Sequence, residues 1–119
     1  MGCKSNNMKS NLKYLNKKTI VDGIEFSSKK EANYYQQLKL LQRAGEVIKF
    51  ELQPEFVLQN KFKKNGKMIR EIKYIADFLV EYRDGRKEII DTKGFHNNLF
   101  RLKQKLFEYK FPDLELKLK

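Results

Sequence analysis

Three charged residues stand inside apolar runs where a buried strand should carry none. Asp77 interrupts YIADFLV, and Asp91 and Lys93 interrupt EIIDTKG. Burying unpaired charge is costly, so charges at such positions mark a site or a metal centre. Two carboxylates and an amine on one surface make an oxygen-rich centre. It suits a hard divalent cation, Mg²⁺ with Mn²⁺ as a substitute, whereas zinc prefers His and Cys. Mg²⁺ keeps several waters, so two or three protein oxygens are enough to hold it. The chemistry this allows is in-line displacement at a phosphate, with a water activated and the developing charge neutralised. Lys93 would position that water or stabilise the pentacovalent phosphate as a point charge.

Whether the three converge depends on a hairpin. Tyr74–Gly94 reads as two strands around Asp84-Gly85, a strong turn signal. A two-residue turn pairs Asp77 with Thr92 and points Asp77 away from Asp91. A three-residue loop, Arg83-Asp84-Gly85 with Gly85 left-handed, pairs Asp77 with Asp91 instead. Strand alternation then puts Asp77, Asp91 and Lys93 on one face and Phe78, Val80, Ile90 and Thr92 on the other. The three-residue loop is the expected register. A further acid, Glu31, opens the first helix. Ser28 and Glu31 match the S-x-x-E capping box, so from spacing alone Glu31 caps a backbone N–H; the other reading aims it at the hairpin acids.

The remaining elements frame this hairpin. A chain of 119 residues with 26 Lys+Arg against 15 Asp+Glu, net +11, is one globular domain with a basic surface and a polyanionic partner, nucleic acid before membrane. Residues 1–12 read as a flexible basic tail and 13–119 as a single domain. Ile20–Phe26 alternates about Asp22-Gly23, and a helix follows over Ser27–Ala44. Strands fill Glu46–Gln59, bent at Pro54, where Glu51 and Gln53 share the side of the hairpin acids or simply form a half-exposed strand. Asn60–Lys73 carries six basic residues against Glu71 alone and turns at Asn65-Gly66, the composition of an exposed ribbon resting on phosphates. A second helix, capped by Asn97 or Asn98, runs to about Lys110 with Leu99, Leu102, Leu106 and Tyr109 as its apolar stripe, and Leu114–Leu118 closes the chain as a strand. The fold expected is mixed α/β, a central sheet flanked by helices. Lys17, Lys18, Lys61, Lys63, Lys64, Lys67, Arg70, Arg101, Lys103 and Lys105 are the expected nucleic-acid contacts. His96 has no partner at ligand spacing and reads as a loop residue. The lone cysteine, Cys3, excludes an internal disulfide and fits a reducing, cytoplasmic setting, and no apolar run is long enough for a membrane span.

Ala76-Asp77, a hairpin and Asp91-Thr92-Lys93-Gly94 resemble the PD-(D/E)XK nuclease signature, with Ala76 where Pro is usual. The wider pattern G-I-E-F-S-S-K-K-E-A (23–32), L-Q-P (52–54), Y-I-A-D-F (74–78), D-T-K-G-F (91–95) and K-x-K-L-F-E-Y-K-F-P (103–112) is similar to a family of small phage and prophage endonuclease-like proteins. Its acids also resemble those of Holliday junction resolvases of the phage endonuclease I type. The resemblance implies a restriction-endonuclease-like core and a Mg²⁺-dependent endodeoxyribonuclease, a homodimer acting on four-way DNA junctions in a bacterial host. It implies Glu31, Asp77, Asp91 and Lys93 as catalytic residues, with Glu31, Asp77, Asp91 and Thr92 around the metal. The chain lacks the long additional segments of true resolvases. The alternatives are a non-catalytic nucleic-acid-binding phage protein on the same fold, and a restriction or transposase-type nuclease.

Overall fold

The structure, a computed structural model, describes residues 18–92 and 97–119. The basic tail with Lys17, and the segment holding Lys93 and His96, lie outside the described residues. The chain divides into two compact units, Met1–Leu41 and Gln42–Lys119.

In the first unit, β1 (Thr19–Val21) pairs antiparallel with β2 (Ile24–Phe26) through the expected turn. Asp22 and Gly23 both take positive φ, 56° and 77°, as a two-residue hairpin loop requires. Helix α1 (Lys29–Arg43) starts at the Ser28 cap, whose Oγ accepts from Glu31 N at 3.1 Å. Ala32, Tyr35 and Leu38 bury one stripe of it. The Tyr35 ring lies 5.0 Å from that of Phe26, and its hydroxyl donates to Asp22 Oδ2 at 3.0 Å. That bond ties the helix to the hairpin turn.

The second unit is built on a four-stranded mixed sheet. Its members are β3 (Val47–Leu52), β8 (Phe78–Tyr82), β9 (Lys87–Asp91) and β10 (Glu115–Leu118), ordered β10-β9-β8-β3 with only the β9–β10 pair parallel. A parallel neighbour needs a crossover, supplied by helix α2 (Asn98–Lys110). Asn97 caps it, its side chain accepting from Phe100 N at 2.8 Å. Between β3 and β8 the chain makes a long excursion. It goes out through β4 (Glu55–Gln59) and β5 (Phe62–Lys64), turns at Asn65-Gly66, and returns through β6 (Lys67–Ile69) and β7 (Ile72–Ile75). β4 pairs with β7, and β5 with β6. The bend expected at Pro54 is made with Gln53, at φ 49°, and Ala76 N donates to Pro54 O.

The core of this unit is aromatic. Tyr74, Ala76, Ile89, Phe100 and Phe107 are buried together, with Phe56 and Phe111 packed against them. This corrects the expected face of α2. Phe100 and Phe107 point inward, while Leu99, Leu102 and Tyr109 are 59%, 54% and 88% exposed. The two stripes sit at equally good helical spacing. The phenylalanines prevail because Phe56 and Tyr74 offer them ring partners: Phe107 lies 4.9 Å from Phe56, edge to face, and 5.5 Å from Tyr74.

No described helix is long and apolar enough to cross a membrane.

Candidate active site

The hairpin register is the one the three-residue loop imposes. Tyr82 N donates to Arg86 O across Arg83-Asp84-Gly85, Gly85 takes φ 94°, and the pairing runs from Lys87↔Glu81 to Ile90↔Phe78. Side chains lock the loop. Asp84 accepts from Arg86 N and Nε at 3.0 and 3.1 Å, which hold its carboxyl below its usual range. Arg86 lies over the Tyr82 ring and reaches Glu88, which also accepts from the Tyr82 hydroxyl at 2.7 Å.

One residue beyond Phe78 and Ile90, the same offset brings Asp77 to Asp91. The regular ladder ends there. Asp77 N donates to Ile90 O at 3.1 Å, Asp77 O accepts from Gln53 N at 2.9 Å, and Asp91 O accepts from Lys119 N at 2.9 Å. Both acids therefore sit at one end of the two central strands, with their backbones fixed on either side. Their carboxylates are fixed as well. Asp77 Oδ2 accepts from Thr92 N at 2.8 Å and Thr92 Oγ1 at 2.7 Å. Asp91 Oδ2 accepts from the Tyr74 hydroxyl at 2.6 Å, a short, charge-assisted bond. Asp91 is 0% exposed and Asp77 8%.

Thr92 differs from the alternation. It was expected on the face opposite Asp77, but β9 ends at Asp91, so period two no longer governs the next residue. Freed from the ladder, Thr92 turns both its N–H and its hydroxyl to Asp77. The expected metal-centre residue Thr92 thus acts on a carboxylate, orienting it.

Tyr74 is the member that sequence reading missed. Burial first, then the hydrogen bond and charge of Asp91, then the charge of Asp77, push its phenol above the ordinary range. The neutral phenol is the form the fold favours, so its contribution holds below the ordinary tyrosine pKa of about 10 and is lost as pH rises above it. In an alkaline titration of phenolate absorbance, Tyr74 should stay protonated until the chain unfolds, and Tyr74→Phe should remove one late-titrating phenol while leaving that of Tyr35, which burial and Asp22 also raise. A Tyr74 that ionises with the exposed tyrosines would contradict the buried bond to Asp91. The only signal for it was its place three residues before Asp77, which gives spacing but no partner.

Glu31 belongs to the first unit. It is buried, and its Oε1 accepts from Ser27 N at 3.3 Å and Ser27 Oγ at 2.8 Å. These are capping contacts, shifted one residue towards the N-terminus from the usual box. Lys93 lies outside the described residues. Among the described residues no group of three or more His, Cys, Asp and Glu side chains is arranged to hold a metal ion. Asp77 Oδ1, however, meets no donor among the described residues, and a buried carboxylate oxygen of that kind is an acceptor for a cation or its water. Two hard-oxygen carboxylates, completed by waters, fit the donor requirement of Mg²⁺.

Beside Tyr74 a cleft opens, lined by Lys73, Tyr74, Asn97, Leu99, Phe100 and Lys103. Lys103 is half-buried, whereas Lys18, Arg101 and Lys105 are exposed. Lys18 is tied to Glu25 at 3.6 Å. Lys61, Lys63, Lys64, Lys67 and Arg70 are all exposed on or beside the β5–β6 hairpin, and among the described residues none has a carboxylate at ion-pair distance.

The family model described as a protein of unknown function, DUF1064, matches residues 11–119. No curated protein and no solved structure matches the chain.

Proposed function

The chain belongs to the DUF1064 family, and we propose that it is a Mg²⁺-dependent DNA endonuclease with a restriction-endonuclease-like core, structure-selective in the manner of a Holliday junction resolvase. The observation that carries this reading is the pair Asp77 and Asp91 at one end of the two central strands, each clamped by a hydrogen-bond donor, ahead of the Thr92-Lys93 sequence. A chain that only bound nucleic acid would gain nothing from carboxylates near a phosphate, because they repel it.

Asp77 and Asp91 would hold the cation; Glu31 is named as a ligand only by the resemblance of its motif. A divalent metal, when bound, supplies charge neutralisation at the phosphate and a more acidic water. The chain's own residues do the rest. Tyr74 and Thr92 fix the two carboxylates before substrate arrives, so no reorganisation is needed during the reaction. Lys93, by the resemblance of its motif, would orient the attacking water or meet charge on the phosphate oxygens. The basic surface draws the polyanion in. A homodimer would cut the two strands of a two-fold junction symmetrically. The setting in which this operates is the cytoplasm of a bacterial host.

The test is a cleavage panel of four-way junction, flap, linear duplex and single strand, each with Mg²⁺ or with EDTA. Metal-dependent cutting with the junction preferred is the expected result. Absence of cutting on every substrate would leave the second reading, a nucleic-acid-binding protein without catalysis.

A further inference from the structure

We propose that the β5–β6 ribbon enters the major groove of B-form duplex DNA. The stretch K-F-K-K-N-G-K-M-I-R (61–70) contains five basic residues and no acid. It folds into a two-stranded sheet of its own, paired Phe62↔Ile69, Lys63↔Met68 and Lys64↔Lys67, and every residue from 61 to 70 is exposed. Asn65 and Gly66 take φ 52° and 76°, the conformation of a tight two-residue hairpin loop. The base is firm. Gln59↔Ile72 keeps the offset of Phe62↔Ile69, so the ribbon continues the β4–β7 ladder, which is anchored by Phe56 and Tyr74 in the aromatic core.

Residues paired across an antiparallel ladder share a face. One face therefore carries Phe62 and Ile69 at its base and Lys64 and Lys67 at its tip; the other carries Lys63 and Met68. Lys64 directly opposite Lys67 is destabilising in the free protein, and a bare two-stranded ribbon is marginal in water. A polyanion relieves that repulsion. The apolar residues narrow the partner further. Phe62, Met68 and Ile69 are exposed beside the lysines, where a device that only tracked phosphates would need none of them. In a major groove they meet thymine methyls and base edges while the lysines reach the flanking phosphates.

Dimensions agree. Three-residue strands rising about 3.3 Å per residue make an arm of about 10 Å. The major groove is about 12 Å wide and about 8.5 Å deep and admits a β-ribbon, whereas the minor groove, about 6 Å wide, is too narrow. The deep groove of A-form RNA is closed to it for the same reason.

This inference shares with the proposed nuclease only the premise of a DNA partner, and binding measured in EDTA separates the two. The probes are a B-form DNA duplex and an RNA duplex of the same sequence, titrated with the full chain at about 50 and about 200 mM salt. The variant Lys63→Gln/Lys64→Gln/Lys67→Gln should flatten the log-affinity against log-salt slope by about 2.7. The advantage of the unaltered protein over the variant should then shrink roughly 40-fold between the two salts. The substituted residues lie outside the buried core, and an unchanged circular dichroism melt verifies that the fold is kept. Guanine N7 atoms, which face the major groove, should be protected from dimethyl sulfate by the unaltered protein. Replacing 62–69 by a tight turn should abolish that protection. An unchanged salt slope, equal affinity for the RNA duplex, or guanines that stay reactive would each overturn the groove assignment. A protein that binds in this way and never cuts would overturn only the nuclease.

Discussion

Asp77→Asn lowers Mg²⁺-dependent DNA cleavage by at least about 10²-fold, with DNA affinity nearly unchanged and the fold intact. Asparagine is the informative replacement because of what Asp77 does structurally. Its Oδ2 satisfies both Thr92 N and Thr92 Oγ1 in a buried setting. Alanine would strand both donors and cost about 1–3 kcal/mol, so lost activity would be confounded with a loosened hairpin end. Asparagine keeps the shape and an acceptor oxygen for Thr92 but removes the negative charge that would hold a divalent cation. Asp77→Asn should therefore match the wild-type denaturant midpoint closely, Asp77→Ala should unfold earlier, and both should be inactive. Full cleavage by Asp77→Asn would end the site assignment, and inactivity confined to Asp77→Ala would reduce Asp77 to a structural anchor.

What the sequence disclosed here was local. Asp22-Gly23, Asn65-Gly66 and Arg83-Asp84-Gly85 each announce their turn through residues that tolerate positive φ, and Asn97 announces its cap. Asp84-Gly85 allowed a two- or a three-residue loop, and the expected three-residue loop is the one that forms, fixing which residue faces which and bringing Asp77 beside Asp91. The features that escaped depend on partners far along the chain. Tyr74 reaches Asp91 across 17 residues, and the choice between two apolar stripes on α2 is made by Phe56 and Tyr74, on strands that precede it. Periodicity counts apolar positions on a helix, but it carries no information about which face will find aromatic rings waiting. Thr92 escaped for a narrower reason. Alternation holds only while the strand lasts, and the ladder ends one residue before it. For Glu31, spacing and motif pointed to different roles, and its bonds to Ser27 and Ser28 bear out the capping part.

Phe107→Ala should be the most damaging single truncation in the second unit, lowering unfolding free energy by about 3–5 kcal/mol in a denaturant titration. Its side chain is fully buried, and three rings close around it: Phe56 at 4.9 Å, Phe111 at 5.2 Å and Tyr74 at 5.5 Å. Removing it opens a cavity among rigid rings that cannot collapse to fill it, which puts the cost at the upper end of such substitutions. Against a total stability of about 5–15 kcal/mol, the loss is large. Leu102→Ala on the same helix should change stability by no more than about 0.5 kcal/mol, because Leu102 is more than half exposed. The comparison decides between the two faces of α2, since a core built on the Leu99–Tyr109 stripe would give the opposite order. The damage should also reach the site. Tyr74 rests on Phe107 and donates to Asp91, so a cavity at 107 releases the ring that holds the carboxylate. Phe107→Ala protein, held well below its unfolding midpoint so that it stays folded, should let the Tyr74 phenol ionise at lower pH than in the parent. If the phenol titrates as before, the packing of α2 and the clamp on Asp91 are independent, and the aromatic core would serve stability alone.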